Sequence, residues 1–346
     1  MGILVRNHCG KNVELKTGSS LIAHLKERYK RTDSYAVNRY LEAEQVQLNE
    51  VFRAFGIEDI GKVQVRTVLQ NDGMKPLFNA AIEDGLRMGF EKESNWQVLV
   101  ADTVDATKMA QEWYFLDYDE DEVALREIGQ GAPIPVGILK VGDQSIRLHK
   151  RGRGIEWTDE AKDMNIKLVS LFLMKVGKKL GRDYENTAIY RLLNGYFPDG
   201  SDSPPVIGVK TANNLTIGDL FYAAMYMEEE LGYNVKRLVM NRKMASSIAE
   251  LKNGDGNYLF IDNLKSGEWP SPLGAPIHIT NLVPDNRIIL VDTAFALIRY
   301  SYKEFGVEFE RSAKTQLEGS YGTEISEFVP FEKNARLIIT LDQQRA

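Results

Sequence analysis

A single cysteine, Cys9, stands in 346 residues, which excludes an intrachain disulfide framework and suits a reducing compartment. No apolar run approaches the ~18 to 20 residues that span a bilayer, and the N-terminus lacks the apolar core of a signal peptide. Such a chain is expected to be made and used in a cytosol, unless it leaves by lysis. Histidine is scarce: His8, His24, His149 and His278 are scattered without metal-ligand spacing, so each reads as a structural or surface residue. No G-x-S-x-G elbow, H-E-x-x-H pair or G-x-G-x-x-G loop occurs. Positive charge is in deficit as well, and a net charge of −6 excludes a general polyanion binder, leaving any contact with DNA local and weak. Two near-motifs fail on mechanism. Gly56, Gly61 and Lys62 fit most of a phosphate loop, but Val63 supplies no hydroxyl for magnesium. Asn253, Asp255 and Asn257 begin a calcium loop, but Tyr258 and Leu264 stand where a glycine and a bidentate glutamate are required. No cofactor or metal is implied, and nothing singles out a catalytic residue.

With 43% hydrophobic and 27% charged residues, the chain is long enough for two domains with their own cores. Its organising stretch runs from Thr158 to about Asn194 without a proline. Thr158 reads as an N-cap, with Asp159 and Glu160 in the first turn. Leu168, Phe172, Val176, Leu180, Tyr184, Ala188 and Leu192 recur every fourth residue, with Val169 and Leu173 beside them. A helix of that length spans roughly 55 Å at ~1.5 Å per residue, a spine. Gly177 and Gly181 inside it point to a bend or a close neighbour.

Upstream, a helix is expected from Ser20 to about Lys30, and a second, capped by Ser34, through Val37, Leu41, Leu48, Val51 and Phe55 to a stop at Gly56. Alternation from Val63 to Leu69 suggests a strand, followed by a turn at Asn71, Asp72 and Gly73 and a helix near Pro76 to Gly89. Trp96 to Ala101 is a buried-type apolar run, and residues 111–118 are rich in aromatics. Asp117 to Glu122 is an acidic run that reads as a solvated turn. Val123 to Ile128, Val136 to Val141 and Gln144 to His149 read as strands of hairpins with little core of their own, the last two parted by Gly142 and Asp143. Unpaired edges of that kind invite another chain. Beyond the polar loop from Pro198 to Pro205, Thr216 caps a helix from Ile217 to Leu231. Then come a strand at Val235 to Met240, a helix at Arg242 to Leu251 and a loop from Lys252 to Leu273. Strands follow at Pro276 to Asn281, Arg287 to Val291, Phe295 to Tyr300, Val307 to Arg311 and Arg336 to Leu341.

Three segments in this order resemble the major capsid protein of tailed phages, whose Hong Kong 97 fold is shared with encapsulin shells. The first is Glu127 to Asn165, where Lys150, Gly152, Ile155, Thr158 and Glu160 follow the family's strand from its extended loop into the spine helix. The second is the turn YRLLNGYFPDG, in which Tyr196 and Phe197 depart from the family's pattern. The third runs from GDLFYAAMYMEEELGYNVKRLVMNRKMASSIAELK through PLGAPIHITNLVPDNRIILVDTAFALI. The resemblance covers about residues 75–343.

It implies an α+β, Hong Kong 97-like fold. Residues 1–70 would form an N-terminal helical region or arm and 71–117 the entry to the P-domain. Residues 118–157 would be the extended β-hairpin E-loop, 158–215 the P-domain spine and turn, 216–302 the α/β A-domain, and 303–346 the returning strands. The implied function is a non-enzymatic shell protein that self-assembles as pentamers and hexamers into an icosahedral capsid around double-stranded DNA. Portal and scaffolding proteins are its implied partners, with the virion as its location and the host cytoplasm as the place of assembly. Arg147, Lys150, Arg151 and Arg153 form a basic group, and Asp117, Asp119, Glu120 and Glu122 an acidic one; both are candidate inter-subunit contacts. Two other readings stay open: an encapsulin-type compartment around a cargo enzyme, and an α/β enzyme with a hairpin lid.

Overall fold

The computed structural model describes residues 2–58, 62–93, 95–116, 139–157, 166–253, 256–312 and 317–345. The chain divides into two compact units. One comprises Met1–Val98, Lys150–Ala188 and Lys303–Ser326; the other comprises Leu99–His149, Ile189–Tyr302 and Glu327–Ala346.

The first unit opens with a hairpin that the sequence reading did not anticipate: β1 (Gly2–Arg6) pairs antiparallel with β2 (Asn12–Lys16), Gly2 opposite Lys16. Its turn is held by the Asn7 side chain, which accepts from the N–H groups of Cys9 (3.1 Å) and Lys11 (2.9 Å). Val5 and Leu15 point to one side and are buried. Helices α1 (Gly18–Tyr29), α2 (Ser34–Ala43), α3 (Leu48–Ala54), α4 (Val65–Leu69) and α5 (Lys75–Glu93) follow. Three expectations are corrected here. The helix expected to run from Ser34 to Phe55 is two helices, broken where Gln45 adopts φ 56°; steps of three and four persist across the break because both pieces face one core. Asp33 caps α2, accepting from Ala36 N–H at 3.3 Å, while the Ser34 hydroxyl accepts from Val307 N–H at 2.7 Å. The strand expected from Val63 to Leu69 is helix α4, because Val65 and Val68 are the buried pair and a three-residue spacing belongs to a helix.

The spine is α6 (Ile166–Asn194); the proposed Thr158 cap lies outside the described residues. Within the first unit, α6 crosses α5 antiparallel at very close range. A Cβ on Gly177 would overlap the Leu86 carbonyl, and one on Gly89 the Met174 carbonyl. The close neighbour expected at Gly177 is therefore the α5 backbone. Tyr184 of α6 meets Phe90 edge-on, ring centroids 5.1 Å apart.

Glu83 on α5 is buried, within hydrogen-bonding reach of Ser34 and Asn38 and close to Asp33. Burial raises its pKa to about 7. Because the folded value lies above the unfolded one near 4.5, the native state holds the extra proton between the two; stability is highest at the acid end and falls as pH rises from about 4.5 to 7. Glu83→Gln is expected to flatten that slope and to stabilise the subunit above pH 7 by up to about 3 kcal/mol. Urea titrations at several pH values check this; an unchanged slope would show that another group is responsible.

The second unit is built on a five-stranded sheet in the order β7-β13-β10-β8-β9, comprising β7 (Val206–Val209), β8 (Arg237–Met240), β9 (Ile277–Ile279), β10 (Arg287–Val291) and β13 (Arg336–Gln344). The β10–β13 and β10–β8 pairs are antiparallel, whereas β13–β7 and β8–β9 are parallel. Near-continuous apolar runs such as Ile288–Val291 mark these strands as buried on both faces. Helices α7 (Ile217–Glu229) and α8 (Arg242–Ala249) supply Leu220, Ala223, Met227, Met244 and Ile248 to its core. The Thr216 cap is the one expected from the sequence, and Asn241 caps the second helix. Thr216 forms a reciprocal capping box with Asp219, and Asn241 accepts from Met244 N–H at 2.9 Å. The loop expected from Lys252 to Leu273 contains a short helix, α9 (Ile261–Ser266).

A further four-stranded sheet, β3-β11-β12-β6, joins β3 (Asp102–Asp105), β6 (His149–Trp157), β11 (Leu297–Ser312) and β12 (Leu317–Pro330). The strands expected at Phe295–Tyr300 and Val307–Arg311 are parts of the single β11, and β12 had no counterpart in the sequence reading.

Candidate subunit interfaces

In the second unit, β4 (Ala110–Leu116) and β5 (Leu139–Arg147) make an antiparallel ladder that joins no other sheet among the described residues. The strands expected on either side of Gly142 and Asp143 are thus corrected: β5 runs through both residues, and the irregularity is a register shift between Glu112 and Tyr114 of β4. Gly-Asp is a turn signal when the chain reverses, but here both residues fall in a bulge of β5, where residues 142–144 stand opposite the single residue 113 of β4. The strand expected from Val123 to Ile128, the first residues of the one expected from Val136 to Val141, and the acidic Asp117, Asp119, Glu120 and Glu122 lie outside the described residues.

The base of this arm is pinned by the turn that ends the spine. The Tyr196 hydroxyl accepts from Arg147 N–H at 2.8 Å and donates to the Arg147 carbonyl at 3.1 Å, while Leu148 N–H donates to Met109 at 2.9 Å. The basic candidates fall on two strands. Arg147 ends β5, exposed; on β6, Lys150 and Arg153 are exposed and Arg151 is half-buried. Since neighbours along a strand face opposite ways, Arg151 and Arg153 share one face of β6 and Lys150 takes the other.

A set of charged side chains that the sequence reading missed fixes the end of the spine. Arg336, the first residue of β13, is fully buried and donates to the carbonyls of Arg191 (2.9 Å), Leu192 (3.2 Å) and Asp202. The first two are carbonyls of the last helical turn, which have no partner within the helix. Burial lowers the Arg336 pKa to about 10, which still leaves it charged at neutral pH. The Asp202 carboxylate accepts from Tyr196 N–H (2.6 Å) and Phe197 N–H (3.1 Å), closing the turn over Gly195, whose φ of 79° suits a residue without Cβ. Glu327, buried on β12, takes His149 Nδ1–H at 2.7 Å and Arg191 at 3.4 Å. Asp219 is buried too, yet hydrogen bonds from Thr216 and from Lys210 N–H, with Arg345 3.1 Å away, outweigh burial and hold its carboxyl below the ordinary range. Together these groups hold the last turn of the spine, the turn at Gly195 and the start of β13 in one hydrogen-bonded mount.

What the mount presents is apolar. Tyr258, Leu259, Ile261 and Trp269 are exposed around α9, with Trp269 at 68%. Phe221 and Met225 are exposed one turn apart on α7. Exposed aromatic groups of this size mark contact surfaces. Among the described residues, no group of three or more His, Cys, Asp or Glu side chains is placed to hold a metal ion. No described helix is long and apolar enough to cross a membrane.

Residues 199–339 match the phage capsid family. Among solved structures, the chain is similar to the capsid of a native GTA particle, at 16% identity over 70% of this chain and 90% of that one, with a TM-score of 0.56. It is also similar to a virus-like particle from Pyrococcus furiosus, at 13% identity over 76% of this chain and 99% of that one, TM-score 0.51. A chain of Microbacterium phage Oxtober96 gives 10% identity over 72% and 91%, TM-score 0.53. No curated protein matches it. The architecture is therefore the Hong Kong 97-like one, α+β as the sequence reading expected.

Proposed function

From a chain that carries the Hong Kong 97-like capsid fold and matches the phage capsid family over residues 199–339, we infer a shell subunit that assembles with copies of itself. The observation that supports this most directly is the pairing of a rigid mount with surfaces that its own unit leaves unsatisfied. Among the described residues, the β4–β5 ladder stands apart from the larger sheets, and the apolar residues around α9 lie open. A two-stranded ladder is marginal in water, so a neighbouring subunit is its natural support. In the proposed assembly, residues 118–157 form the arm that lies over that neighbour. The residue 216–302 region brings its tip to the five-fold and quasi-six-fold axes, and residues 158–215 and 303–346 form the outer P-domain. Closed symmetry multiplies contacts that are individually modest. The product is an icosahedral capsid of pentamers and hexamers around double-stranded DNA, formed in the host cytoplasm with portal and scaffolding proteins and found in the virion. The role is structural, with no catalytic step.

The tip supplies a test. Trp269→Asp changes a residue that is 68% exposed, so the isolated subunit is expected to keep its unfolding free energy within about 0.5 kcal/mol. Assembly is expected to fail, because the charge is repeated at every axis. Sedimentation of variant and wild type decides: closed shells in equal yield would remove the tip from the interface.

A second reading, a compartment around a cargo enzyme as in encapsulins, shares the fold, and the likeness to the virus-like particle from Pyrococcus furiosus favours keeping it. Contents distinguish the two: nucleic acid inside purified shells supports the first, a co-purifying enzyme the second.

A further inference from the structure

Helix α7 is apolar on both of its faces. Leu220, Ala223 and Met227 are buried in the core beneath it, while Phe221 and Met225, one turn apart, are 55% and 51% exposed. A surface helix has one apolar and one polar face, and a helix apolar all round is normally a covered one. Tyr222 is already met by the Arg345 guanidinium, 4.1 Å from its ring centre. The uncovered stripe is therefore Phe221 and Met225, continued three and four residues on by Glu228 and Glu229. Glu228, Glu229 and Glu230 are exposed and enter no ion pair among the described residues. They also stand at the end of α7 that suits them least, because the last turn of a helix carries partial negative charge.

A second patch of the same unit has the opposite sign. Arg242 and Lys243 open α8 and are exposed, at a helix N-terminus, where the partial charge is positive and cations are disfavoured. Among the described residues Arg242 has no carboxylate partner, and Lys243 has a loose, exposed one in Asp285 at 3.6 Å. Asp285 also accepts from Asn241 Nδ2–H at 2.5 Å, which ties the loop carrying Leu282, 37% exposed, to the start of α8. Each patch thus joins exposed apolar surface to charges that oppose their own helix dipole, and within one copy neither patch answers the other.

We infer that the α7 stripe of one subunit packs on the α8 end of a second copy, head to tail. The inference rests on the shell reading above and deepens it by naming two faces that meet. Charge complementarity selects the occupant. Phe221 and Met225 lie against Leu282 and the apolar stems of Arg242 and Lys243, and the acids at the end of α7 lie against the two cations. The negative end of one helix then faces the positive end of another, so both groups of charges gain a favourable dipole in place of an unfavourable one. Two different patches make a heterologous contact, which closes into rings where the rotation permits. A pairing of two α7 stripes with each other leaves Arg242 and Lys243 unanswered.

The test follows assembly of the full chain by sedimentation velocity over a concentration series, with electron microscopy of the same samples. Glu228→Lys with Glu229→Lys is expected to raise the concentration at which assembly begins by more than about tenfold, because like charges then meet at every contact. Arg242→Glu with Lys243→Glu is expected to do the same. The variant carrying all four changes is expected to return to within about threefold of the wild type, the signature of two groups that touch. An equimolar mixture of the two double variants is also expected to assemble, since each supplies the face that the other lacks. Every change improves the match of a charge to its own helix dipole, so thermal unfolding of the unassembled variants is expected at or above the wild-type temperature. A lower temperature together with lost assembly would assign these charges to the fold and overturn the inference. It is equally overturned if either double variant assembles as the wild type does, or if the fourfold variant stays as defective as its parents. Normal shells that lose only a foreign protein on the Glu228 and Glu229 changes overturn it too, since the stripe would then dock that protein. In each of these cases wild-type shells leave the shell reading standing, whereas a wild type that forms neither rings nor shells removes that reading and this one together.

Discussion

Arg336→Ala is expected to destabilise the second unit by about 3 to 5 kcal/mol, the range for removing one member of a buried, hydrogen-bonded charge network. The guanidinium is fully buried and satisfies the Arg191, Leu192 and Asp202 carbonyls at once. Truncation takes the guanidinium donor from the Leu192 and Asp202 carbonyls, while the Arg191 carbonyl keeps Gly195 N–H at 2.9 Å, and leaves a cavity beneath the turn at Gly195. Arg336→Lys keeps a charge but not the planar fork, and an ammonium cannot reach two helix carbonyls and a loop carbonyl in the same geometry. An intermediate loss is expected for it. Urea unfolding of the unassembled subunits gives both numbers. Equal stability of wild type and Arg336→Ala would show that water replaces the fork without penalty, and the idea of a rigid mount would fall.

Gly177→Val is the second large effect, expected at about 3 kcal/mol, the upper end for overpacking. An added side chain at this position meets the Leu86 carbonyl, and Phe90 N at 3.0 Å, both backbone atoms of α5. Rotamer changes cannot relieve such a clash; the helices must move apart. Gly177→Ala separates packing from propensity, because Ala favours the helix by about 1 kcal/mol over Gly and a net loss therefore measures the clash. A stabilised Gly177→Ala, read from the same urea curves, would mean that α5 and α6 can part easily.

The elements legible in the sequence were those whose buried residues are apolar and whose ends carry local signals. The spine from Ile166, the helix after the Thr216 cap and the helix from Arg242 are of this kind: the expected periodicity, and at Thr216 the expected cap, are found in the structure. Strand β12 is the opposite case. Glu324, Ser326 and Glu327 are buried on it, so its inward residues do not look inward until their partners are known. For Glu327 those partners are His149 and Arg191, 178 and 136 residues away. The hairpin β1–β2 was readable in principle, since Ile3, Val5, Val13 and Leu15 alternate with exposed residues, but each strand is only five residues long. The break between α2 and α3 hides because Gln45 accepts a positive φ that its side chain does not announce. The same holds for the mount. Nothing local separates Arg336 from any cation that begins an apolar strand; its role exists only once β13 lies under the last turn of α6. Exposed aromatics such as Trp269 had a signal, being large apolar residues in a glycine-rich polar loop, and the loop reading passed over it.

Negative-stain electron microscopy of the purified protein, with a sedimentation profile of the same sample, tests the central claim most directly. The shell reading expects closed icosahedral particles, or rings of five and six subunits, in equilibrium with smaller species and favoured by higher protein concentration. A single small species of one or two subunits at every concentration and salt, with or without duplex DNA and crowding agents, would contradict it.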